Sequence, residues 1–438
     1  MYPTRRLALG IAEVLVNGPW EPDLLAERAR GALGKRRLEP LTRRVVAAFP
    51  IRPASHRLAD FLLTDRAFLR LHDRRPLVLR HGIGLRPSMA PATGPPSNWP
   101  VPAIATLGEL ADRLKLEHAE LDWLADRRGL ERRVAAEPLR NYRYHWIPKR
   151  DGASRLLEAP KPRLKSVQRK ILSEILSQIP PHDAAHGFER GRSVRSFVDG
   201  HAGQYVVVRL DLRDFFPSIT SARVAALLRT AGYPEPVALA LAGLCTNRPP
   251  ARVWSLPAAP ADPAEAARTR QLYRMPHLPQ GAPTSPALAN LCAYRLDARL
   301  MGLADASQAH YTRYADDLAF SGDVAFARRL RRLIIQAVAI AIEEGFQIHW
   351  RKSRIMRQSV RQRVAGVVLN DRPNVPRADF DALKATLHNC LQTGPESQNR
   401  QRHPNFQAHL AGRVAHVQSL NPDRGRKLKA MLDQVVWS

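Results

Sequence analysis

The sequence predicts a mixed α/β (α+β) chain, an antiparallel sheet packed by helices, and four segments carry that reading. Val206–Leu212 is a nearly continuous aliphatic, largely β-branched run, the pattern of a buried central strand. Ala309–Tyr314 and Leu318–Ser321 have strand character and lie close enough together for a tight hairpin. Ala327–Glu344 places Leu330, Leu333, Ile334, Ala337 and Ala341 on one face and is stopped by Gly345, as an amphipathic helix would be.

The other elements follow in chain order. Residues 1–83 read as a helical N-terminal extension, with apolar repeats such as Leu58, Phe61, Leu62 and then Phe68, Leu69. Residues 84–103 are dense in Pro, Gly, Ser and Ala and read as a linker. From Thr106 two short helices meet at Leu116–Glu117; such a pair can read DNA as a helix-turn-helix or serve only as a packing unit. Strands are expected at Arg143–Pro148 and Arg155–Ala159, then a basic helix at Leu164–Ile179. Pro249–Pro279 is Pro- and Ala-rich and reads as a surface insertion, Phe346–Trp350 as the next strand, and the tail after Val375 as helical and basic.

Charge narrows the class of partner. In 438 residues, Lys plus Arg number 68 against 40 Asp plus Glu, a formal charge of +28. That excess favours a polyanion, and nucleic acid is the usual one. A membrane is not expected, since no segment approaches ~18 uninterrupted apolar residues. Met1–Val16 is interrupted by Glu13 and lacks a small-residue cleavage site, so it is not read as a signal peptide. Cys245, Cys292 and Cys390 are far apart and lack metal-ligand spacing, which fits small hydrophobes in a reducing cytoplasm.

The chemistry centres on carboxylates. Asp316 and Asp317 fall at the tip of the expected hairpin, where neighbouring charges repel unless a cation neutralises them. A bare Asp-Asp is also an ordinary solvated turn. Asp211 stands at the edge of the apolar Val206–Leu212 strand, where a carboxylate is costly without a partner. It could instead be a helix cap or half of a salt bridge. Together the three would suit two Mg²⁺ ions, which prefer hard oxygen ligands and share phosphate oxygens with a substrate. Asp214 reads as an exposed or helix-starting residue. In Leu278–Asn290 a Gln-Gly-Ala-Pro turn enters a helix near Ser285–Pro286, and its glycine permits close backbone approach.

These blocks resemble the bacterial reverse transcriptases, and most of all the retron type. The likeness runs over roughly Thr106–Asp371 in seven blocks in the family's order: WIPKRDGASRLLEAPKPRLKSVQRKIL, AAHGFERGRSV, RLDLRDFFPSI, LPQGAPTSPALAN, YTRYADDLAFSG, GFQIHWRKSRI and RQRVAGVVLN. The resemblance implies a right-hand polymerase with fingers and palm at 104–372 and a helical, nucleic-acid-binding thumb at 373–438. It makes Asp211, Asp316 and Asp317 the catalytic metal ligands, with the Leu212 backbone as an additional candidate. Two Mg²⁺ ions would be held, with Mn²⁺ as a substitute. Phe216 falls where the family places a steric gate against a ribose 2′-hydroxyl, although a core aromatic would also fit. Gln280 and Gly281 would lie along the incoming nucleotide and its template partner. Lys149 and Arg155 would neutralise triphosphate oxygens, and Lys352 would bind or protonate pyrophosphate. Lys149 also reads as part of a solvated basic face, and Lys352 as an ordinary strand-edge lysine. Tyr314 and Ala315 would support the hairpin.

The implied partners are a structured non-coding RNA serving as template and primer, its cDNA product and dNTPs. The resemblance also admits a separate effector protein and a role in antiphage defence. Two departures bear on the subtype: Phe197-Val198-Asp199-Gly200-His201 keeps only the His of the retron Asn-Ala-x-x-His, and Val364-Ala365-Gly366 replaces Val-Thr-Gly. A group II intron-type polymerase is a rival, weakened because no zinc-bearing nuclease segment is expected after the thumb. A catalytically silent RNA-binding scaffold is another, weakened by the three retained carboxylates.

Overall fold

The computed structural model describes residues 5–16, 20–34, 38–53, 55–74, 76–77, 99–134, 136–148, 154–260 and 262–437. Lys149 and most of the expected linker (84–98) lie outside the described residues. The chain divides into two compact units: Met1–Ile179 with Ile219–Ser285, and Pro180–Ser218 with Pro286–Ser438.

In the first unit, helices Arg5–Val16, Pro22–Leu33, Glu39–Ala48, Ser55–Thr64 and Arg66–Arg74 surround a core that includes Ile11, Leu15, Leu25, Leu41, Leu58 and Phe68. Helices Leu107–Leu114 and His118–Leu124 bury Leu110, Leu114, Leu121 and Leu124. The first starts at a capping Thr106, whose hydroxyl accepts from the Glu109 N–H at 3.1 Å. Both pack on helix Glu235–Cys245, where Gly243 lies so close to the Ala125 carbonyl that no Cβ fits. This is the packing alternative for the helix pair.

Strands β1 (Tyr142–Pro148) and β2 (Ser154–Pro160) form an antiparallel hairpin. Glu158 of β2 is fully buried, and its carboxylate is held by His277 Nε2 at 3.0 Å and Asn247 Nδ2 at 2.7 Å. His277 corrects the expectation of a surface insertion at Pro249–Pro279. Helix Pro263–Leu272 within it is largely exposed, but Trp146 Nε1 donates to the Val253 carbonyl at 2.7 Å and His277 is wholly buried. Both ends of the segment belong to the core.

The second unit holds a four-stranded antiparallel sheet, built from β3 (Val206–Asp211), β4 (His310–Tyr314), β5 (Asp317–Gly322) and β6 (Arg354–Arg357) in the order β4-β5-β3-β6. Side chains alternate across it. Val206, Val208, Leu210, Leu318, Phe320, Tyr311 and Arg313 share one face, against which helices Tyr294–Ala306 and Val324–Glu343 pack. Val207, Arg209 and Asp211 share the other with Asp317 and Ala319. At one end of that face, Val207, Ala319 and Met356 join a core with helices Arg377–Thr393, Phe406–Leu420 and Pro422–Leu432. The carboxylates occupy its other end.

Two expectations fail locally. Phe346–Trp350 is not a strand: only Ile348 bridges to Leu212, and the edge strand is Arg354–Arg357. Asp214 neither starts a helix nor lies open; it occupies a turn at φ +50° with an intermediate exposure. Among the described residues no helix is long and apolar enough to cross a membrane.

Candidate active site

The hairpin places the acidic residues by backbone register. Asp317 opens β5 and pairs with both Tyr314 of β4 and Asp211, the last residue of β3. Ala315 turns the chain at φ +54°, and the Leu212 N–H donates to the Asp316 carbonyl at 2.8 Å. Directly opposed antiparallel residues project to the same side with Cβ atoms about 4.5–5.5 Å apart. Asp211 and Asp317 are therefore neighbours at the end of a mostly apolar strand.

Burial and mutual repulsion act together there. Asp211 is 8% exposed, and burial, then the Asp316 and Asp317 charges, push its pKa up to about 7 against the pull of Lys352 and Arg209. Burial raises Asp317 to about 6, with Asp316 adding to it and Arg209 and Lys352 opposing. Hard oxygen donors that resist being charged together fit a divalent cation. Among the described residues, no three His, Cys, Asp or Glu side chains already converge as a finished ligand group. Asp211, Asp317 and the adjoining Asp316 are brought together by backbone and by field, with Asp316 carried on the turn.

Several braces fix the hairpin. Arg313 and Asp297 are fully buried and doubly bonded, Nε to Oδ1 at 2.8 Å and Nη2 to Oδ2 at 2.6 Å. Arg313 Nη1 also donates to Asn290 Oδ1 and to the Ala315 carbonyl in the turn. Behind that turn runs the 184–187 segment, where a Cβ on Gly187 would sit 2.6 Å from the Ala315 backbone nitrogen. Gly187→Ala must therefore displace the turn, and a shift near 1 Å costs catalysis roughly a hundredfold. A loss of that order in primer extension is expected, with a lower melting temperature as well, because the atoms that must give are backbone.

His201 braces the sheet from the other face. Nε2 lies 2.7 Å from Thr312 Oγ1 and Nδ1 2.6 Å from Ser321 Oγ. The Thr312 hydroxyl gives its proton to the Phe197 carbonyl at 3.0 Å, so Nε2 is the donor to Thr312. Burial, reinforced by His310 and His186, lowers its pKa to about 3, so the imidazole is neutral at ordinary pH and Nδ1 accepts from the Ser321 hydroxyl. The unfolded chain takes up the proton below about 6.5, and the folded chain does not until about 3. Stability is therefore complete above pH 6.5 and falls as pH drops through that window, at up to ~1.4 kcal/mol per pH unit. Urea unfolding at pH 7, 6 and 5 should show this slope in wild type and a shallower one in His201→Gln.

The remaining expected residues divide between the units. Phe216 and Lys352 belong with the carboxylates. The half-exposed Phe216 ring lies 5.9 Å from Phe188 and 5.8 Å from Phe215, and the Lys352 charge acts on Asp211 and Asp317. Arg155, Gln280 and Gly281 belong to the other unit, and Lys149 lies outside the described residues. Arg155 is exposed on β2. The Gln280 carbonyl accepts from the Glu158 N–H at 2.8 Å, and Gly281, at φ +124°, runs so near β2 that a Cβ on it would meet the Glu158 carbonyl at 3.1 Å. Strapping of this turn to β2 is thus a structural reason for Gly281. Sequence reasoning missed Arg209, Arg313, Asp297 and Gly187. The one signal available was the odd placing of charges and a glycine among apolar neighbours.

A four-stranded antiparallel sheet with carboxylates on a central strand and the adjoining hairpin is the palm of a right-hand polymerase. Residues 147–369 match the family described as Reverse transcriptase (RNA-dependent DNA polymerase), and the chain belongs to that family. It is 42% identical over 299 residues to the Retron Mx65 reverse transcriptase of Myxococcus xanthus, covering 67% of this chain and 64% of that protein. It is 37% identical over 345 residues to the Retron Mx162 reverse transcriptase of the same organism, covering 74% and 66%. The Retron Ec86 reverse transcriptase of Escherichia coli matches at 27% over 273 residues, covering 59% and 75%. The chain thus spans just under two thirds of the length of the two Myxococcus relatives. Among solved structures, a telomerase from Candida albicans covers 67% of this chain and 63% of its own at 10% identity, with a TM-score of 0.36, a distant likeness.

Proposed function

We propose that this chain is an RNA-directed DNA polymerase that copies a structured non-coding RNA into single-stranded DNA, as a retron enzyme. The observation that carries the reading is the opposition of Asp211 and Asp317 beside Asp316, in a chain of this family. The three carboxylates, with the Leu212 backbone as an additional candidate, would hold two Mg²⁺ ions, or Mn²⁺ in their place. Bound there, the ions would supply Lewis-acid charge to the attacking hydroxyl and the departing pyrophosphate.

The chain's own residues do the rest. The braced hairpin holds Asp316 and Asp317 in register with Asp211, so the carboxylates need no reordering when a nucleotide arrives. Lys352 would bind or protonate pyrophosphate, and Lys149 and Arg155 would neutralise triphosphate oxygens. Gln280 and Gly281 would border the nucleotide and its template partner. Residues 104–372 act as fingers and palm and 373–438 as a basic helical thumb on the nucleic acid. Residues 1–83 form the extension and 84–103 the linker. The polyanionic partner accounts for the formal charge of +28. A separate effector protein would couple DNA synthesis to antiphage defence in the cytoplasm.

Primer extension by purified protein on an RNA template tests the chemistry, and failure with every divalent ion supplied would remove the reading. Nucleic acid co-purifying with the protein should be shortened by both RNase and DNase, as an RNA–DNA product requires. Phe216 is assigned the gate against ribonucleotides. Overlap of a 2′-hydroxyl with a packed ring costs about 1–3 kcal/mol, so Phe216→Ala should lower the preference for dNTPs over rNTPs by roughly 10- to 100-fold. An unchanged ratio of incorporation would take the gate away from Phe216.

A further inference from the structure

Arg209 stands two residues before Asp211 on the same strand and the same face of the sheet. Its neighbours make it unusual for a mid-strand residue. Nε lies 3.7 Å from Asp317 Oδ1, and Nη2 donates to the Lys352 carbonyl at 2.7 Å. Nε itself is buried and makes no hydrogen bond, so its contact with Asp317 is an ion pair without the short geometry of a bonded one. The side chain is only 25% exposed, and it is pinned on its other side to the loop that carries Lys352. A fixed cation thus points at one member of the carboxylate group without being fully satisfied by it.

We propose that Arg209 is a resident counter-charge for Asp317 that sets the threshold for divalent-ion binding and yields when the ion binds. The inference rests on the reading of Asp211, Asp316 and Asp317 as metal ligands. In the metal-free protein the guanidinium offsets part of the repulsion between buried carboxylates and so keeps the hairpin closed. The same positive charge opposes a dication entering a few ångströms away, in a partly buried site where screening by salt is weak. Because the Arg209–Asp317 contact is long and Nε makes no hydrogen bond, a guanidinium that turns away while keeping its Nη2 bond to the Lys352 carbonyl gives up only that ion pair. Its bond to the Lys352 carbonyl also links this movement to the loop that bears the site's other cation.

The test measures metal binding without turnover. Thermal shift and calorimetric titration with Mg²⁺ and Mn²⁺ alone should show wild type saturating with a definite midpoint. Arg209→Gln, which removes the charge and retains a donor for the Lys352 carbonyl, should saturate at roughly tenfold lower ion concentration. Arg209→Lys, which keeps the charge, should stay near wild type. Equal or weaker ion binding by Arg209→Gln overturns the proposal. A wild type that binds no divalent ion overturns the metal-site reading instead, which keeps the two failures distinct. A second measurement needs no variant. Peptide mapping after phenylglyoxal treatment of wild type should show Arg209 becoming more reactive when Mg²⁺ is added, and reactivity that stays constant or falls overturns the proposal.

Discussion

Asp211→Asn is expected to reduce primer extension by at least about a thousandfold while leaving the metal-free protein as stable as wild type or more so. The first effect follows from the reading of Asp211 as a metal ligand. Transition-state charge stabilisation by a bound ion is worth several kcal/mol, and each ~1.4 kcal/mol is a factor of ten in rate. The second follows from what the folded chain shows without an ion. Asp211 is buried, and Asp316 and Asp317 repel its charge more than Arg209 and Lys352 offset it. An amide of the same shape removes that repulsion. Added Mg²⁺ should then raise the melting temperature of wild type, as any ligand selective for the folded state does, and leave that of Asp211→Asn unmoved. At one hundred times the dissociation constant this linkage amounts to ~2.7 kcal/mol. A variant that loses activity together with stability would point to a structural role, and one that keeps activity would remove Asp211 from the site.

The opposite signs of these effects also show what a sequence can disclose. Asp211 was legible because a carboxylate at the end of an aliphatic strand needs a reason; Asp316 and Asp317 are ordinary turn residues by themselves, and only the blocks around them singled them out. The strand and helices around them were legible because their apolar spacing is regular, as in Leu330, Leu333, Ala337 and Ala341. The edge strand was not. Phe346 and Ile348 are buried and alternate with polar residues, which is the pattern of a strand, yet the chain there only extends β3 through Arg213 N–H to the Gln347 carbonyl and His349 N–H to the Asp211 carbonyl. The true partner, Arg354–Arg357, buries only Met356, so no hydrophobic period marks it. The charged braces were illegible for a different reason. Arg209 and Asp317 lie far apart in sequence, as do Glu158 and His277, and nothing local says that one will neutralise the other.

Asp297→Asn should be among the most destabilising single substitutions in the chain, costing about 3–5 kcal/mol, because it leaves the Arg313 charge buried without a counter-charge. Both side chains are wholly excluded from solvent. Tyr311 adds its hydroxyl to Asp297 Oδ1 at 2.8 Å, and the Arg313 guanidinium lies 5.6 Å from the Phe215 ring centre, so water has no access by which to relieve the charge. Replacing both partners by apolar residues of similar volume, Asp297→Leu with Arg313→Met, removes the stranded charge and should recover most of the lost stability. Activity should not recover with it. The Arg313 guanidinium also holds the Ala315 carbonyl, one residue before Asp316, and methionine cannot. The double variant should therefore unfold in urea near the wild-type midpoint and yet extend primers poorly, with faster hydrogen exchange in residues 310–322. If the single losses simply add in the double variant, the two residues are not a pair in solution. If the double variant recovers activity along with stability, the pair serves only the core, and the turn that presents Asp316 and Asp317 is held by other means.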